Sequence, residues 1–234
     1  MKRILVIAAV AAAVISCISI NIISKPVKGN GVITEKNYEL PEFNEIKLSG
    51  AFDVVYSQTT GGRSATLRTD ENLMDVYTVG VVGDILEVST ERGKSPIPTK
   101  GTLFSVCNAG VKAIKLNGSG DCLIPGDLSL DDNFSFILNG SGDLKAHTVS
   151  CNGFTAKVSG SGDIEVDELT AESIQITING SGDASIGLRN AGDVVVRING
   201  SGDVTLYGNA RTLDHKVNGS GNVNSRSLSL TGDR

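Results

Sequence analysis

Between Asn117 and Asn222 one four-residue phrase returns six times. It reads Gly118-Ser119-Gly120-Asp121, then recurs around Gly140, Gly142 and Asp143, and around Gly160, Gly162 and Asp163. Further copies hold Gly180, Gly182 and Asp183, then Gly200, Gly202 and Asp203, and the series closes on Gly219, Gly221 and Asn222. The steps from first Gly to first Gly are 22, 20, 20, 20 and 19 residues. A near-constant period of this length marks a solenoid, in which each repeat packs only on its neighbours.

Within one repeat the apolar residues fall into columns. Counting the first Gly as position one, the fifth position holds Cys122, Leu144, Ile164, Ala184, Val204 and Val223. The seventh holds Ile124, Ala146, Val166, Ile186 and Leu206. Ahead of each following Gly come sets such as Phe134/Phe136/Leu138, Ile174/Ile176/Ile178 and Leu213/His215/Val217. Alternation with polar residues is the period of a strand with one buried face, and β-branched residues are enriched, as strands prefer. Each repeat therefore reads as a strand, a Gly-Ser-Gly corner, a second strand and a return segment.

Two short strands cannot bury an apolar face alone. Stacking the repeats coaxially closes that face into a tube and pairs each strand in parallel with its counterpart in the next turn. The chain is thus predicted to be all-β, a single-stranded parallel β-helix with turns of about 20 residues. A meander or sandwich would also use short strands, but not the same corner six times at one period. The phrase at 46–56, around Gly50 and Asp53, aligns as a degenerate seventh copy with Phe52 in the slot of the second Gly. Phe tolerates positive φ badly. Either the first Gly takes that conformation at every corner, or the first corner differs. The 68 residues from Gly50 to Gly118 leave room for about three less regular turns. Within them, a short helical turn capped by Asp70 and a strand at 85–90 are expected.

The ends read differently. Residues 1–24 are a leader, with Lys2 and Arg3 ahead of an apolar run from Ile4 to Ile15. Val14-Ile15-Ser16-Cys17 resembles a bacterial lipobox, with Cys17 as the lipidated residue. The apolar character continues to Ile23, so an uncleaved membrane anchor and simple secretion stand as alternatives. All three export the domain, and an outer-membrane or periplasmic lipoprotein is the leading expectation. Residues 25–41 read as a tether and residues 42–234 as the β-helix domain. Lipidation of Cys17 would leave Cys107, Cys122 and Cys151, an odd set that argues against a full disulfide framework and for buried thiols.

These pieces together resemble the head GIN domain family of auto-transporter adhesins. The residues that carry the resemblance are the opening from Phe43 to Asp53 and the serial Asn/Ser-Gly-Ser-Gly-Asp phrases. The resemblance covers Tyr38 to Asp233 and implies a right-handed single-stranded β-helix behind a lipoprotein-type or anchored leader. It implies adhesion in name, with no catalytic residues to transfer.

The chemistry of the sequence points the same way. The net charge of −5 comes without basic clusters, which gives no support to nucleic-acid binding. The repeats insert no loops of the kind that build the clefts of β-helix polysaccharide lyases. No nucleophile elbow, phosphate-cradling loop or metal quartet occurs. Of the two histidines, His215 falls on an inward column and is expected to be structural. Lectins usually show aromatic platforms, whereas Tyr38, Tyr56, Tyr77 and Tyr207 are scattered and Trp is absent. The expected function is a non-catalytic structural or adhesin-like module that needs no cofactor. Glycan binding is the alternative, and a polysaccharide-acting enzyme a weaker one. The expected partners are a protein or glycan of the envelope, the membrane through leader or lipid, and a second copy through the C-terminal strand edge.

The column Asp121, Asp143, Asp163, Asp183, Asp203 and Asn222 needs its own explanation. Carboxylates stacked at strand spacing repel by about 0.9 kcal/mol per pair in water. They must be solvated, hold cations, or accept hydrogen bonds from corner amides. One Asp per 20 residues supplies too few oxygens for a calcium site of the β-roll kind, so the corner-amide reading is expected. Beside it, Asn117, Asn139, Asn179, Asn199 and Asn218, with Ser159 filling the gap, are expected to form a ladder of side-chain amides.

Overall fold

The structure, a computed structural model, describes residues 24–232. Strands enter and leave each corner in the same way: Phe134–Gly140 and Leu144–Ser150, then Gly153–Gly160 and Ile164–Thr170, and onward through Ala184–Gly200 and Val204–Gly219. Neighbouring coils pair in parallel with corner opposite corner, so Gly50, Gly118, Gly140, Gly160, Gly180, Gly200 and Gly219 form one line. The product is a parallel β-solenoid of about six turns.

The inward columns meet as the alternation requires. Phe136, Ala156, Ile176 and Val196 are completely buried on one side of the tube, as are Ala146, Val166, Ile186 and Leu206 on the next. Phe residues cluster toward the early coils, where Phe134 and Phe154 stack at 6.2 Å between ring centres. The return segment is more than a connection. It contributes a third buried side, with Leu128, Val149, Leu169 and Leu188 in register and Cys151, Ala171, Ala191 and Ala210 one step on. Cys107, Cys122 and Cys151 are free thiols. Burial pushes the Cys122 thiol well above its ordinary range and that of Cys151 up to about 11, so both act as small apolar residues.

The N-terminal end departs from the expected succession of turns. The 68 residues between Gly50 and Gly118 do not make three coils in sequence order. Strands Ile85–Thr90 and Leu103–Asn108 stack on one side of the Glu45–Gly50 and Asp53–Gln58 coil, and Ala113–Gly118 stacks on its other side. The remaining residues form a cap held by antiparallel pairing. Ser64–Asp70 pairs with both Ile33–Tyr38 and Leu103–Asn108, and Tyr77–Val82 pairs with Ile85–Thr90. The stretch 25–41, expected as a tether, belongs to this cap. Lys25–Lys28 pairs with Lys94–Ile97, and Ile33–Tyr38 joins the main sheet. Tandem coils leave an open edge, and antiparallel strands cover it here.

Asp70 fastens the cap. It stands before the 3-10 helix Glu71–Val76, but its side chain does not cap that helix. Instead the fully buried carboxylate accepts from the Gly31 amide at 2.7 Å, the Thr99 amide at 2.8 Å and the Thr99 hydroxyl at 2.8 Å. A side chain at Gly29 would collide with this carboxylate. The Thr99 amide above all, then the Thr99 hydroxyl and the Gly31 amide, hold its pKa below the ordinary value against the opposing effect of desolvation. A depressed carboxyl pKa stabilises the fold fully above the unfolded value and loses that contribution as pH falls through the folded one. The cap is therefore expected to loosen below about pH 4. Protection from hydrogen exchange in segments 29–32 and 97–102, taken relative to the intrinsic amide rate at each pH, should fall in that range. In Asp70→Ala the protection should already be low at neutral pH and change little with pH.

The C-terminal end is open among the described residues. His215 lies in register with the buried Val196, yet it is exposed, and Leu213 and Val217 are half-buried. The expectation of an enclosed structural histidine is corrected for that reason: its side chain follows the inward column, but no further coil covers it.

Candidate functional site

The repeated corner is the most organised surface feature. Its first Gly has positive φ at every turn, 145° at Gly180 and 154° at both Gly50 and Gly200. An added Cβ at Gly180 would also lie 2.0 Å from the Gly160 carbonyl oxygen. The second Gly has no such φ, but a Cβ at Gly182 would lie 2.0 Å from the Gly162 oxygen. Both columns are thus glycine because consecutive coils touch backbone to backbone. Phe52 occupies the second slot only at the first corner, where the adjoining coil bypasses the corner through residues 91–102. There its ring is buried, edge-on to Tyr77 at 5.7 Å. The first Gly carries the positive φ everywhere, which answers the question the sequence left open.

The Asp column is bonded along its length. The amide of each member donates to Oδ1 of the one before. The distances are 3.1 Å for Asp121 to Asp53, 2.9 Å for Asp143 to Asp121, and 2.8 Å for Asp163 to Asp143. They continue at 2.7 Å for Asp183 to Asp163, 2.7 Å for Asp203 to Asp183, and 2.8 Å for Asn222 to Asp203. Hydrogen bonds to an ionised acceptor are among the stronger ones, and the exposed carboxylates keep their remaining lone pairs in water. Asn222 ends the column without adding a charge. Among the described residues no three acidic, His or Cys side chains come together as a metal-holding group.

The Asn ladder is discontinuous. Asn139 donates to Asn117 at 2.9 Å, Asn199 to Asn179 at 2.8 Å and Asn218 to Asn199 at 2.9 Å. Ser159 interrupts it, while at the first corner Asn117 reaches the Ser49 hydroxyl only at 3.5 Å.

Beyond the Asp column the surface is concave. A groove of about 530 Å³ runs across the coils, lined by Asp121, Asp143, Asp163, Leu123, Lys145 and Glu165. A second hollow of about 360 Å³ shares Asp163 and Glu165 and carries the groove on to Asp203 and Thr205. Lys145 pairs with Glu165 at 2.9 Å on its floor. Next to it His147 Nδ1 meets Asp167 at 3.0 Å, a contact that raises the imidazole pKa.

On the face before the corner, register lines up Lys47, Lys115, Lys157, Arg197 and Lys216. Acids of adjacent coils neutralise part of this column, Glu87 on Lys47 at 2.9 Å and Glu45 on Lys115 at 2.8 Å. Reading the sequence missed this basic column because its members are separated by uneven steps and intervening neutral residues. Counting every position outward from the corner would have found it. Cys17 lies outside the described residues, and among those residues no helix is long and apolar enough to cross a membrane.

Comparison with known proteins adds the lineage. The profile of the family described as "Putative auto-transporter adhesin, head GIN domain" matches residues 42–168 and 155–231. The chain belongs to this family. Solved structures similar to this GIN-domain chain include a putative adhesin from Bacteroides fragilis NCTC 9343, with TM-score 0.71 at 18% identity, covering 85% of this chain and 99% of that one. A putative adhesin from Parabacteroides distasonis ATCC 8503 has TM-score 0.61 at 20% identity, covering 86% and 99%. A putative lipid binding protein from the same strain has TM-score 0.57 at 18% identity, again covering 86% and 99%. At these identities the likeness establishes the fold. The search of curated proteins finds no match.

Proposed function

We propose that this GIN-domain chain is a non-catalytic contact module of the bacterial cell envelope. It is tied to the membrane by a lipid on Cys17 and holds an envelope protein or glycan against its outward faces. The observation that carries this reading is the constancy of the coil. From Gly118 to Gly219, steps of 19–22 residues leave regular rows of side chains along a shallow groove with no loop inserted above them, which suits broad contact rather than enclosure of a substrate. The family description as an adhesin supports the same reading. Attachment also fits the fold. Lys25–Lys28 belongs to the cap, so a lipid on Cys17 would set the capped end against the membrane and turn the open end outward.

One experiment joins these parts. Cells expressing the full chain are fed labelled palmitate and carry a photo-crosslinking residue at the exposed position Gln175. The expected result is labelled protein in the membrane fraction with crosslinks to one discrete envelope component, and loss of both in Cys17→Ala. Unlabelled protein that stays in the membrane would replace the lipid with an uncleaved anchor. Depolymerisation of an envelope polysaccharide by the purified chain would overturn the non-catalytic reading.

A further inference from the structure

We propose that the small sheet of Lys25–Lys28 and Lys94–Ile97 is a membrane-contact face that lays the cap on anionic lipid headgroups. The sequence carries no basic cluster, but the fold makes one from two distant segments. Residues 24–32 and 91–100 bring together Lys25, Lys28, Arg92, Lys94 and Lys100 in a chain whose net charge is −5. Within these segments stands one acid, Glu91, which pairs with Lys94. Glu71 lies at the margin, its amide donating to the Val32 carbonyl. The two faces of the sheet differ. Register sets Lys28 beside Ile97 and Pro26 beside Ser95, and all four are exposed. On the other face Val27 and Pro96 are half-buried, with Val27 packed against the core. Ile97 is 48% exposed and Val32 is 55% exposed. The Asp70 carboxylate holds their segments together by accepting from the Gly31 and Thr99 amides. Cations around exposed aliphatic side chains suit a bilayer surface, where the cations meet phosphates and the aliphatic groups enter the headgroup layer.

The occupant follows from where the chain leads. Lys25 stands eight residues beyond Cys17, a span of about 28 Å when fully extended. An uncleaved anchor ending at Ile23 would bring it closer still. Either attachment keeps the cap within reach of the bilayer, and the opposite charges of lysine and lipid phosphate favour contact. The two strands run in parallel, so the leader joins at the Lys25 end, and Lys28 and Ile97 lie at the other. This inference rests on the membrane attachment proposed above.

The test uses the full chain, reconstituted in vesicles of phosphatidylcholine and phosphatidylglycerol with brominated acyl chains. The sequence has no Trp, so Ile97→Trp and Gln175→Trp each install a single reporter. Bromine quenches an indole that enters the lipid. The expected result is strong quenching and blue-shifted emission for Ile97→Trp, and neither for Gln175→Trp at an exposed position of a middle coil. Added to Ile97→Trp, the pair Lys28→Glu and Lys100→Glu should move the docking equilibrium off the bilayer by about tenfold or more. Lys28→Arg with Lys100→Arg should leave it in place, and high salt should weaken it. Vesicles of phosphatidylcholine alone should give severalfold less quenching. Retention of the chain with equal quenching at both positions, or quenching indifferent to the anionic lipid, would overturn the docking alone. Release of the chain from the vesicles would overturn the attachment and the docking together.

Discussion

Gly180→Ala is expected to remove most of the stability of the solenoid. Two independent effects act at this position. The φ of 145° is one that a residue with a Cβ adopts only under strain, and the new methyl would sit 2.0 Å from the Gly160 carbonyl oxygen. The obstructing atom is backbone within a paired strand, so relief requires separating two coils and breaking the hydrogen bonds on both sides of the corner. A loss of about 4 kcal/mol or more is expected, at the extreme of single substitutions. Gly182→Ala isolates the collision, because that φ is ordinary while the approach to the Gly162 oxygen is the same 2.0 Å. It should lose less than Gly180→Ala. Gly126→Ala has nothing within 4 Å and should change stability by no more than about 0.5 kcal/mol. Urea unfolding of the three variants measures the series, and equal losses at Gly180 and Gly126 would refute the coil contact as the reason for the glycines.

The second large effect lies in the core. Ile176 is fully buried in the middle of the stack, between Ala156 and Val196 in adjacent coils. Ile176→Ala removes three carbons from the lining and leaves a cavity that the neighbouring Ala156 is too small to fill. The expected loss is about 2–5 kcal/mol. Thr177, one residue on, points outward, and Thr177→Ala should lose about 1 kcal/mol or less. Because each coil touches only its neighbours, the Ile176→Ala defect should also broaden the unfolding transition by uncoupling the two halves of the stack. Similar losses for the two substitutions would contradict the inward column.

The identity of the fold was written in the period of the glycines and the alternation around them. A repeat that cannot bury its own face has one economical solution, so the columns from Phe134 to Ile198 could be assigned inward or outward before any coordinates. The Asp column was legible for a similar reason: stacked carboxylates need partners, and the corner amides supply donors at the same spacing. Three features required the assembled chain. The Gly50 coil is sandwiched between later parts of the sequence, because pairing partners 68 residues apart leave no local periodic trace. The carboxylate of Asp70 looked like a helix cap and became a latch, because the amides of Gly31 and Thr99 arrive from distant segments. His215 follows an inward column and still faces solvent, because burial depends on whether another coil covers the residue, and a side-chain pattern along one strand carries no information about that neighbour.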